Sequence, residues 1–370
     1  MPDSYLPADY GAPQLLAPLR DALAGLSKAR AAGTSFLPPR DPFTGLPAPA
    51  PLRVAVALSG GADSAMLAVH AAVVARSRAG IELHCFHIHH GLQEPADAWL
   101  AQAHRLAAGL RVPCHSLRVD VVQHSGKGVE AAAREARYAG LKRLAAATDV
   151  THVFLAHHRN DQSETVLLRL LRGSGPTGLA AMAPRAERDG LIYIRPWLDV
   201  DRACIMAAAR EYTARTGWEA VDDPTNVDEA YTRGAVRRRL SPVLDERWPA
   251  WRGILARHAR QARDLAMLAE EIAAEDLARL DLSPGGEDFC LDAWRKLGAQ
   301  RQVLALRHWL ALHGLRAPSD ARMQELCRQL RGLHALGHDR SMRLRHEGRW
   351  ISCVRGRVRL SRSNDTDESR

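Results

Sequence analysis

Short apolar runs alternate with longer amphipathic stretches between residues 53 and 216. Runs rich in Val, Ile and Leu predict strands, and apolar positions that recur at helical spacing predict helices. This alternation predicts an α/β fold with a parallel five-stranded, doubly wound sheet covered by helices on both faces. The predicted strands cover residues 53–58, 81–87, 115–119, 151–156 and 191–195, and the helices after them begin near residues 65, 95, 129, 162 and 202.

The chain changes character on both sides of this alternation. Residues 1–50 contain nine prolines and one helical pattern, over residues 14–30. After residue 249 helical patterns follow one another, over residues 252–280, 291–313 and 319–330. The segment 342–360 alternates loosely and predicts short antiparallel strands. The turn candidates of this segment are Glu347-Gly348 and Arg355-Gly356. Elsewhere in the C-terminal half, four tryptophans are predicted to be packing residues: Trp248, Trp251, Trp294 and Trp309.

These changes predict four parts of the chain. They are a Pro-rich arm (1–50), a catalytic α/β domain (51–245), a helical domain (246–335), and a short β tail with a disordered end (336–370).

Composition narrows the possible partners and location. The net charge is +9 with a pI near 9.6, which favours a polyanionic partner such as nucleic acid. The same excess of positive charge would arise if the genome encodes proteins that are generally rich in Arg and Ala. No apolar run approaches membrane-spanning length and no signal peptide is visible, so we expect a cytoplasmic protein without a membrane partner. The six cysteines form no Cys-x-x-Cys pair, which argues against a zinc ribbon.

The first candidate site is the loop Ser59-Gly-Gly-Ala-Asp-Ser64, between the first strand and its helix. Adjacent glycines allow a sharp turn and a close approach of the backbone to a ligand. A helix N-terminus adds unpaired N–H groups and partial positive charge, which suit a phosphate. No Gly-Lys-Ser/Thr follows, so the loop is not a Walker A site. The alternative is a plain strand–helix turn in which Asp63 or Ser64 caps the helix.

The second candidate site follows the fourth strand and contains His157, His158, Asp161 and Glu164. Two carboxylates beside imidazoles could hold Mg²⁺, bind an amine, or take a proton from a nucleophile. The alternative is helix capping, with Asn160 as the N-cap and the acids in the first turn. A zinc site is less favoured, because no cysteine is nearby.

These motifs resemble those of a known family. The loop 59–64 resembles that of the PP-loop ATP pyrophosphatases, which have an adenine-nucleotide alpha-hydrolase-like fold. The run His157-His-x-x-Asp-Gln-x-Glu-Thr165, extended through Arg172-Gly-Ser-Gly175, resembles tRNA(Ile)-lysidine synthases. Further stretches that carry the resemblance are residues 87–97, 129–138, 223–226 and 231–237. One departure is Gly234, where the family usually has Asn after an Arg.

The resemblance implies a ligase that uses ATP to attach L-lysine to C2 of the wobble cytidine of tRNA(Ile) with a CAU anticodon. An adenylated cytidine would form, with release of AMP and pyrophosphate. A homodimer is one assembly we consider, and the sequence leaves the oligomeric state open.

The resemblance also implies roles for individual residues. The expected ATP-binding residues are Ser59, Gly60, Gly61, Ala62, Asp63 and Ser64; the catalytic residues are Asp161, Glu164, Arg134 and His157; the substrate-binding residues are His158, Asn226, Arg233 and Arg237; and the Mg²⁺ ligands are Asp63 and Asp161. A basic ridge of Arg233, Arg237, Arg238 and Arg239 would contact RNA phosphates.

Two alternative functions remain open from the sequence. One is another PP-loop tRNA-modifying enzyme such as a tRNA thiolase, against which the scattered cysteines argue. The other is a basic RNA-binding protein with a vestigial ATP site, against which the pairing of both motifs argues.

Overall fold

A six-stranded sheet organises the first part of the chain in the computed structural model, which describes residues 10–32, 51–91, 95–121, 129–222, 228–229, 232–333 and 342–362. Its strand order is β3-β2-β1-β4-β6-β5, and all neighbours are parallel except β5 and β6. The strands are β1 (Leu52–Ala57), β2 (Ile81–His89), β3 (Cys114–Arg118), β4 (His152–Phe154), β5 (Arg185–Arg188) and β6 (Leu191–Ile194).

The five parallel strands confirm the predicted fold, and β5 is an addition to it. Its sequence Arg-Ala-Glu-Arg is short and polar, so no apolar run marks it. It pairs with β6 across the turn Asp189-Gly190 and leaves one edge of the sheet antiparallel.

The chain divides into two units, residues 1–260 and 261–370, and helices make up much of both. The helices are α1 (Pro13–Ala32), α2 (Ala62–Arg76), α3 (Ala96–Gly109), α4 (Val129–Thr148), α5 (Arg159–Leu171), α6 (Pro176–Leu179), α7 (Arg202–Thr216), α8 (Thr232–Ala235), a π-helical segment (Val236–Leu240), α9 (Ser241–Arg247), α10 (Trp251–Ala278), α11 (Leu291–Arg295), α12 (Ala299–Leu312) and α13 (Asp320–Gly332). Within the described ranges, none of these helices has the length and apolarity to cross a membrane.

The core of the first unit lies on both faces of the sheet. On one face α2 is buried along residues 64–75, since it lies between the sheet and neighbouring helices. The fully buried Leu15, Leu19 and Leu23 of α1 join this face, and Trp197 Nε1 donates to the Leu15 carbonyl at 3.0 Å. The other face is covered by α4. The sheet is therefore covered on both faces, as predicted.

The strand order reverses between β1 and β4. From β1 the chain adds β2 and β3 on one side, and then β4 and β6 on the other. Both candidate sites follow these two adjacent strands at their carboxyl ends, where open α/β sheets bind ligands.

The second unit contains a four-stranded antiparallel sheet of order β7-β10-β9-β8. The predicted turns Glu347-Gly348 and Arg355-Gly356 connect its last three strands. Residues from the strands and helices share one hydrophobic cluster. The strands are β7 (Asp288–Cys290), β8 (Arg343–His346), β9 (Arg349–Val354) and β10 (Arg357–Arg362).

Two predictions for the C-terminal half are wrong. The helix predicted over residues 291–313 is two helices, α11 and α12, because Gly298 is extended and acts as the N-cap of α12. Trp248 was expected to pack, yet it is 56% exposed, while Trp251, Trp294 and Trp309 are buried. The Pro-rich residues 33–50 and the predicted disordered end lie outside the described residues.

Candidate active site

The loop after β1 forms a network between its two serines. Ser64 Oγ accepts from the Ser59 N–H at 3.1 Å, lies 2.9 Å from Ser59 Oγ, and donates to the Gly61 carbonyl at 3.0 Å. The N-cap of α2 is Gly61, not Asp63 or Ser64, so no cap side chain covers the first-turn N–H groups. This corrects the capping alternative and favours an anion-binding loop.

Gly60 is required by the shape of this loop. Its φ of +96° is a conformation that L side chains rarely adopt, and a Cβ there would lie 3.0 Å from Val221 Cγ2. The Val221 N–H donates to the Gly60 carbonyl at 3.0 Å. The hydrogen bond from Val221 therefore holds the backbone of this loop at Gly60.

The helix α5 begins with a reciprocal cap between His158 and Asp161. His158 is the N-cap, and its Nδ1 accepts from the Asp161 N–H at 3.4 Å while Asp161 Oδ2 accepts from the His158 N–H at 3.1 Å. The expected cap, Asn160, instead accepts from the Arg202 N–H at 3.3 Å. Capping therefore orients Asp161 but leaves Glu164 to another partner.

That partner is Arg237, which lies on the acidic pair formed by Asp161 and Glu164. Its Nε and Nη2 donate to the two oxygens of Glu164 at 2.8 and 3.0 Å, and Nη2 lies 3.3 Å from Asp161 Oδ1. Glu164 is 5% exposed. A π-helical segment carries Arg237, and such segments often occur at functional sites. The acidic pair thus holds one planar cation.

Asp63 lies beside this pair. His158 Nε2 is 3.6 Å from Asp63 Oδ1 and 3.4 Å from Asp161 Oδ2, and Arg202 donates to both Asp63 oxygens at 3.3 Å. Burial opposes ionisation of Asp63, but hydrogen bonds and charge from His158 and Arg202 outweigh it and hold the pKa of Asp63 below its ordinary value. Asp63 is therefore an anion near neutral pH.

The side chain of His157 lies in a different environment from that of His158. Its Nδ1 accepts from Arg195 Nε at 3.3 Å. Burial, together with the charges of Arg195, Arg134 and Arg233, lowers the pKa of His157 to about 3 against the opposing effect of Asp161. The ring is neutral at physiological pH.

The carboxylates of Asp63 and Asp161 fit Mg²⁺ in one binding mode. Mg²⁺ commonly uses one or two carboxylates together with waters and substrate phosphates. The described residues contain no group of three or more His, Cys, Asp or Glu side chains arranged to hold a metal. The two acids could therefore hold Mg²⁺ together with a phosphate, not in an all-protein cage.

The structure brings most of the expected site residues together. Asp63, His158, Asp161, Glu164 and Arg237 form one network at the ends of β1 and β4. Beside it, Arg233 donates to Thr165 Oγ1 at 3.2 Å. Arg134 lies 5.4 Å from the ring centre of Tyr138 on its own helix, and its charge acts on His157. Asn226 lies outside the described residues.

The four arginines of the basic ridge do not share one surface. Arg237 faces the acidic pair, whereas Arg238 and Arg239 pair with Glu229. Their contact with RNA stays a prediction.

Sequence reasoning missed two arginines, Arg195 and Arg202. Arg195 follows β6 and Arg202 begins α7, so both lie just beyond the carboxyl end of a strand next to β4. The rule that ligands bind at these ends could have found them. Each was missed because its partner lies far away in sequence.

Gly234 makes a close contact that any side chain would disturb. A Cβ at this position would lie 1.9 Å from the Asp228 carbonyl oxygen. We expect Gly234→Ala to destabilise the fold by about 1–3 kcal/mol, since the backbone must move to relieve the overlap. Urea unfolding would measure this. The control Gly253→Ala has open space around its Cβ and should be neutral or slightly stabilising. Equal stability of both variants would contradict the contact.

The fold and the loop 59–64 first indicate the class of protein to which the chain belongs. Residues 45–244 match the model of the PP-loop domain, and residues 289–360 match that of the TilS substrate binding domain. The PP-loop domain places the chain among ATP-utilising enzymes and supports ATP binding.

Curated relatives identify the family. The tRNA(Ile)-lysidine synthase of Bordetella parapertussis is 57% identical over 84% of this chain and 90% of the relative. That of Polaromonas naphthalenivorans is 39% identical over 80% of this chain and 86% of the relative. The chain belongs to the tRNA(Ile)-lysidine synthase family.

A solved structure agrees with the fold. The U34-tRNA thiolase NcsA from Methanococcus maripaludis matches with a TM-score of 0.50 at 13% identity, covering 68% of this chain and 79% of that protein. At this identity the likeness shows the fold alone.

Proposed function

We propose that this protein attaches L-lysine to C2 of the wobble cytidine of tRNA(Ile) with a CAU anticodon, in two steps driven by ATP. The observation that carries the proposal is the acidic pair Asp161–Glu164, which holds a guanidinium beside the phosphate-binding loop. A pair that binds one cationic side chain suits the cationic side chain of lysine.

In the first step the loop 59–64 binds the phosphates of ATP through its backbone N–H groups. The cytidine O2 attacks the α-phosphorus, and pyrophosphate leaves with the developing charge facing Arg134. Asp63 and Asp161 would hold Mg²⁺, which would neutralise phosphate charge. The target base must be splayed from the anticodon loop to reach the site.

In the second step the lysine ε-amine attacks C2 and AMP leaves. The amine must be neutral to attack, so a carboxylate has to accept a proton from the ammonium. Asp161 and Glu164 are the groups proposed to orient the amine and to accept that proton. The tRNA itself would be held by the second unit and by the exposed Arg238 and Arg239 of the predicted ridge. A homodimer, a cytoplasmic location and the division into four domains stay predictions.

Two of the six cysteines, Cys85 and Cys114, argue against the thiolase alternative. Burial raises the pKa of the Cys85 thiol above its ordinary value and that of Cys114 to about 11. Both thiols stay protonated at neutral pH, whereas sulfur transfer and metal binding require the thiolate.

The test is mass analysis of nucleosides from unmodified tRNA(Ile) with a CAU anticodon, after incubation with the protein, ATP, Mg²⁺ and labelled lysine. We expect label in the wobble cytidine and one AMP released for each lysine attached. A tRNA(Ile) with a GAU anticodon is the matched control and should stay unlabelled. AMP release without label would point to another acceptor, and neither signal would favour the RNA-binding alternative.

A further inference from the structure

The adjacent histidines His157 and His158 have different neighbours. His158 Nε2 faces the carboxylates of Asp63 and Asp161. Asp161 also acts on His157, but burial and the charges of Arg195, Arg134 and Arg233 lower its pKa, and Arg195 is the residue in hydrogen-bond contact with its ring. Neighbouring groups in such different environments usually have different tasks.

The contact with Arg195 determines which nitrogen of His157 carries the proton. A guanidinium N–H can only donate, so His157 Nδ1 must accept the hydrogen bond from Arg195 Nε. In a neutral imidazole one nitrogen accepts and the other carries hydrogen. The proton therefore lies on Nε2, and the ring offers a donor there.

Arg195 is itself held firmly. It is 7% exposed, its Nη1 donates to the Ala183 carbonyl at 2.8 Å, and it hydrogen-bonds with Tyr138. A buried arginine fixed at several points can hold one orientation of the imidazole beside it.

We propose that His157 is a neutral hydrogen-bond donor to an anionic phosphate oxygen through Nε2–H, and that Arg195 is the positioning residue that fixes this tautomer. This rests on the proposed function and deepens it. His157 stabilises charge beside Arg134 and Arg233 and does not take a proton, so the base lies elsewhere, at the acidic pair.

The tautomer can be measured without any turnover. In protein labelled with ¹⁵N-histidine, long-range NMR spectra distinguish pyridine-type from pyrrole-type nitrogens, and the signal missing from His157→Gln assigns the residue. We expect a pyridine-type Nδ1 and a pyrrole-type Nε2, and a shift of the Nε2 signal when inorganic pyrophosphate is added. A pyrrole-type Nδ1, an imidazolium at pH 7, or no response to pyrophosphate would overturn the proposal.

Variants test the role of Arg195. Arg195→Met should give a mixture of tautomers. The control Arg188→Met removes another arginine from beside Tyr138, where its guanidinium lies 4.4 Å from the ring centre, and should leave the His157 signals unchanged. If Arg195→Met folds with the wild-type tautomer, Arg195 does not fix it.

Activity separates a donor from a base even if Arg195→Met does not fold. Gln can offer an N–H near the position of Nε2 and Ala cannot, so His157→Gln should retain more AMP release than His157→Ala. We expect the Ala variant to lose about 10- to 100-fold, the effect of one hydrogen bond to a charged group, and the Gln variant clearly less. Equal losses, in the range of about 10²–10⁴ expected for a base, would overturn the proposal. If wild-type protein releases no AMP, the proposed function fails and NMR still decides the tautomer.

Discussion

Asp161→Asn should reduce tRNA- and lysine-dependent AMP release by about a thousandfold, within the range for loss of an acid–base group, while tRNA affinity stays near the wild-type value. The carboxylate of Asp161 lies where the loop after β1, the start of α5 and Arg237 meet. Asn keeps the volume and an oxygen that can still accept from the His158 N–H. The change therefore removes charge and leaves the helix cap.

Asp161→Ala removes the cap as well and should abolish AMP production. The difference in stability between the Ala and Asn variants should be about 1 kcal/mol, the usual contribution of a helix cap. The role assigned to Asp161 is wrong if both variants lose tRNA binding while their residual AMP release still depends on lysine.

A matched control for this loss is Asp245→Asn. Asp245 is also a carboxylate paired with an arginine, Arg252, and it accepts from Trp251 Nε1 at 2.8 Å. We expect it to leave AMP release unchanged. A similar loss in both variants would indicate a general effect of removing a paired carboxylate.

The sequence predicted this region well where the decisive residues are close in the chain. His157, Asp161 and Glu164 follow one strand and open one helix, so local spacing places them together. The neighbouring loop was predictable too, because Ser59–Ser64 follows a buried apolar strand. Strand order then brings the two segments side by side at the reversal between β1 and β4.

Contacts between distant segments could not be predicted in the same way. Arg237 was expected in a basic ridge, since its neighbours in sequence are Arg238 and Arg239. Its orientation depends on the π-helical segment and on Glu164, 73 residues away. The same holds for Gly234, because the backbone of Asp228 leaves no room for a Cβ at this position.

Glu164→Gln should destabilise the first unit by about 2 kcal/mol as well as abolish lysine-dependent AMP release. Removing one partner of a fully buried ion pair costs about 3–5 kcal/mol, because the other charge is left uncompensated. Glu164 is buried, but the side chain of Arg237 is 30% exposed, so water compensates part of the loss. The expected fall in melting temperature is roughly 4–8 °C.

The double variant Glu164→Gln/Arg237→Met separates the structural role of the pair from its chemical role. Neither charge is then left without its partner, so stability should recover relative to the two single variants. AMP release should not recover, because the amine would still lack its carboxylate. Additive losses of stability would show that the pair contributes little to folding. Recovery of activity would show that Glu164 acts only by compensating the charge of Arg237.

The pair of the buried Asp276 and the exposed Arg301 in the second unit provides the control for this cycle. Asp276 is 1% exposed and accepts from Arg301 at 2.6 and 2.5 Å, so its geometry resembles that of Glu164 and Arg237. Asp276→Asn should therefore lower stability without abolishing AMP release. A carboxylate that binds the lysine amine must affect turnover beyond its effect on folding. The comparison of these two pairs, each with a buried carboxylate, measures that excess directly.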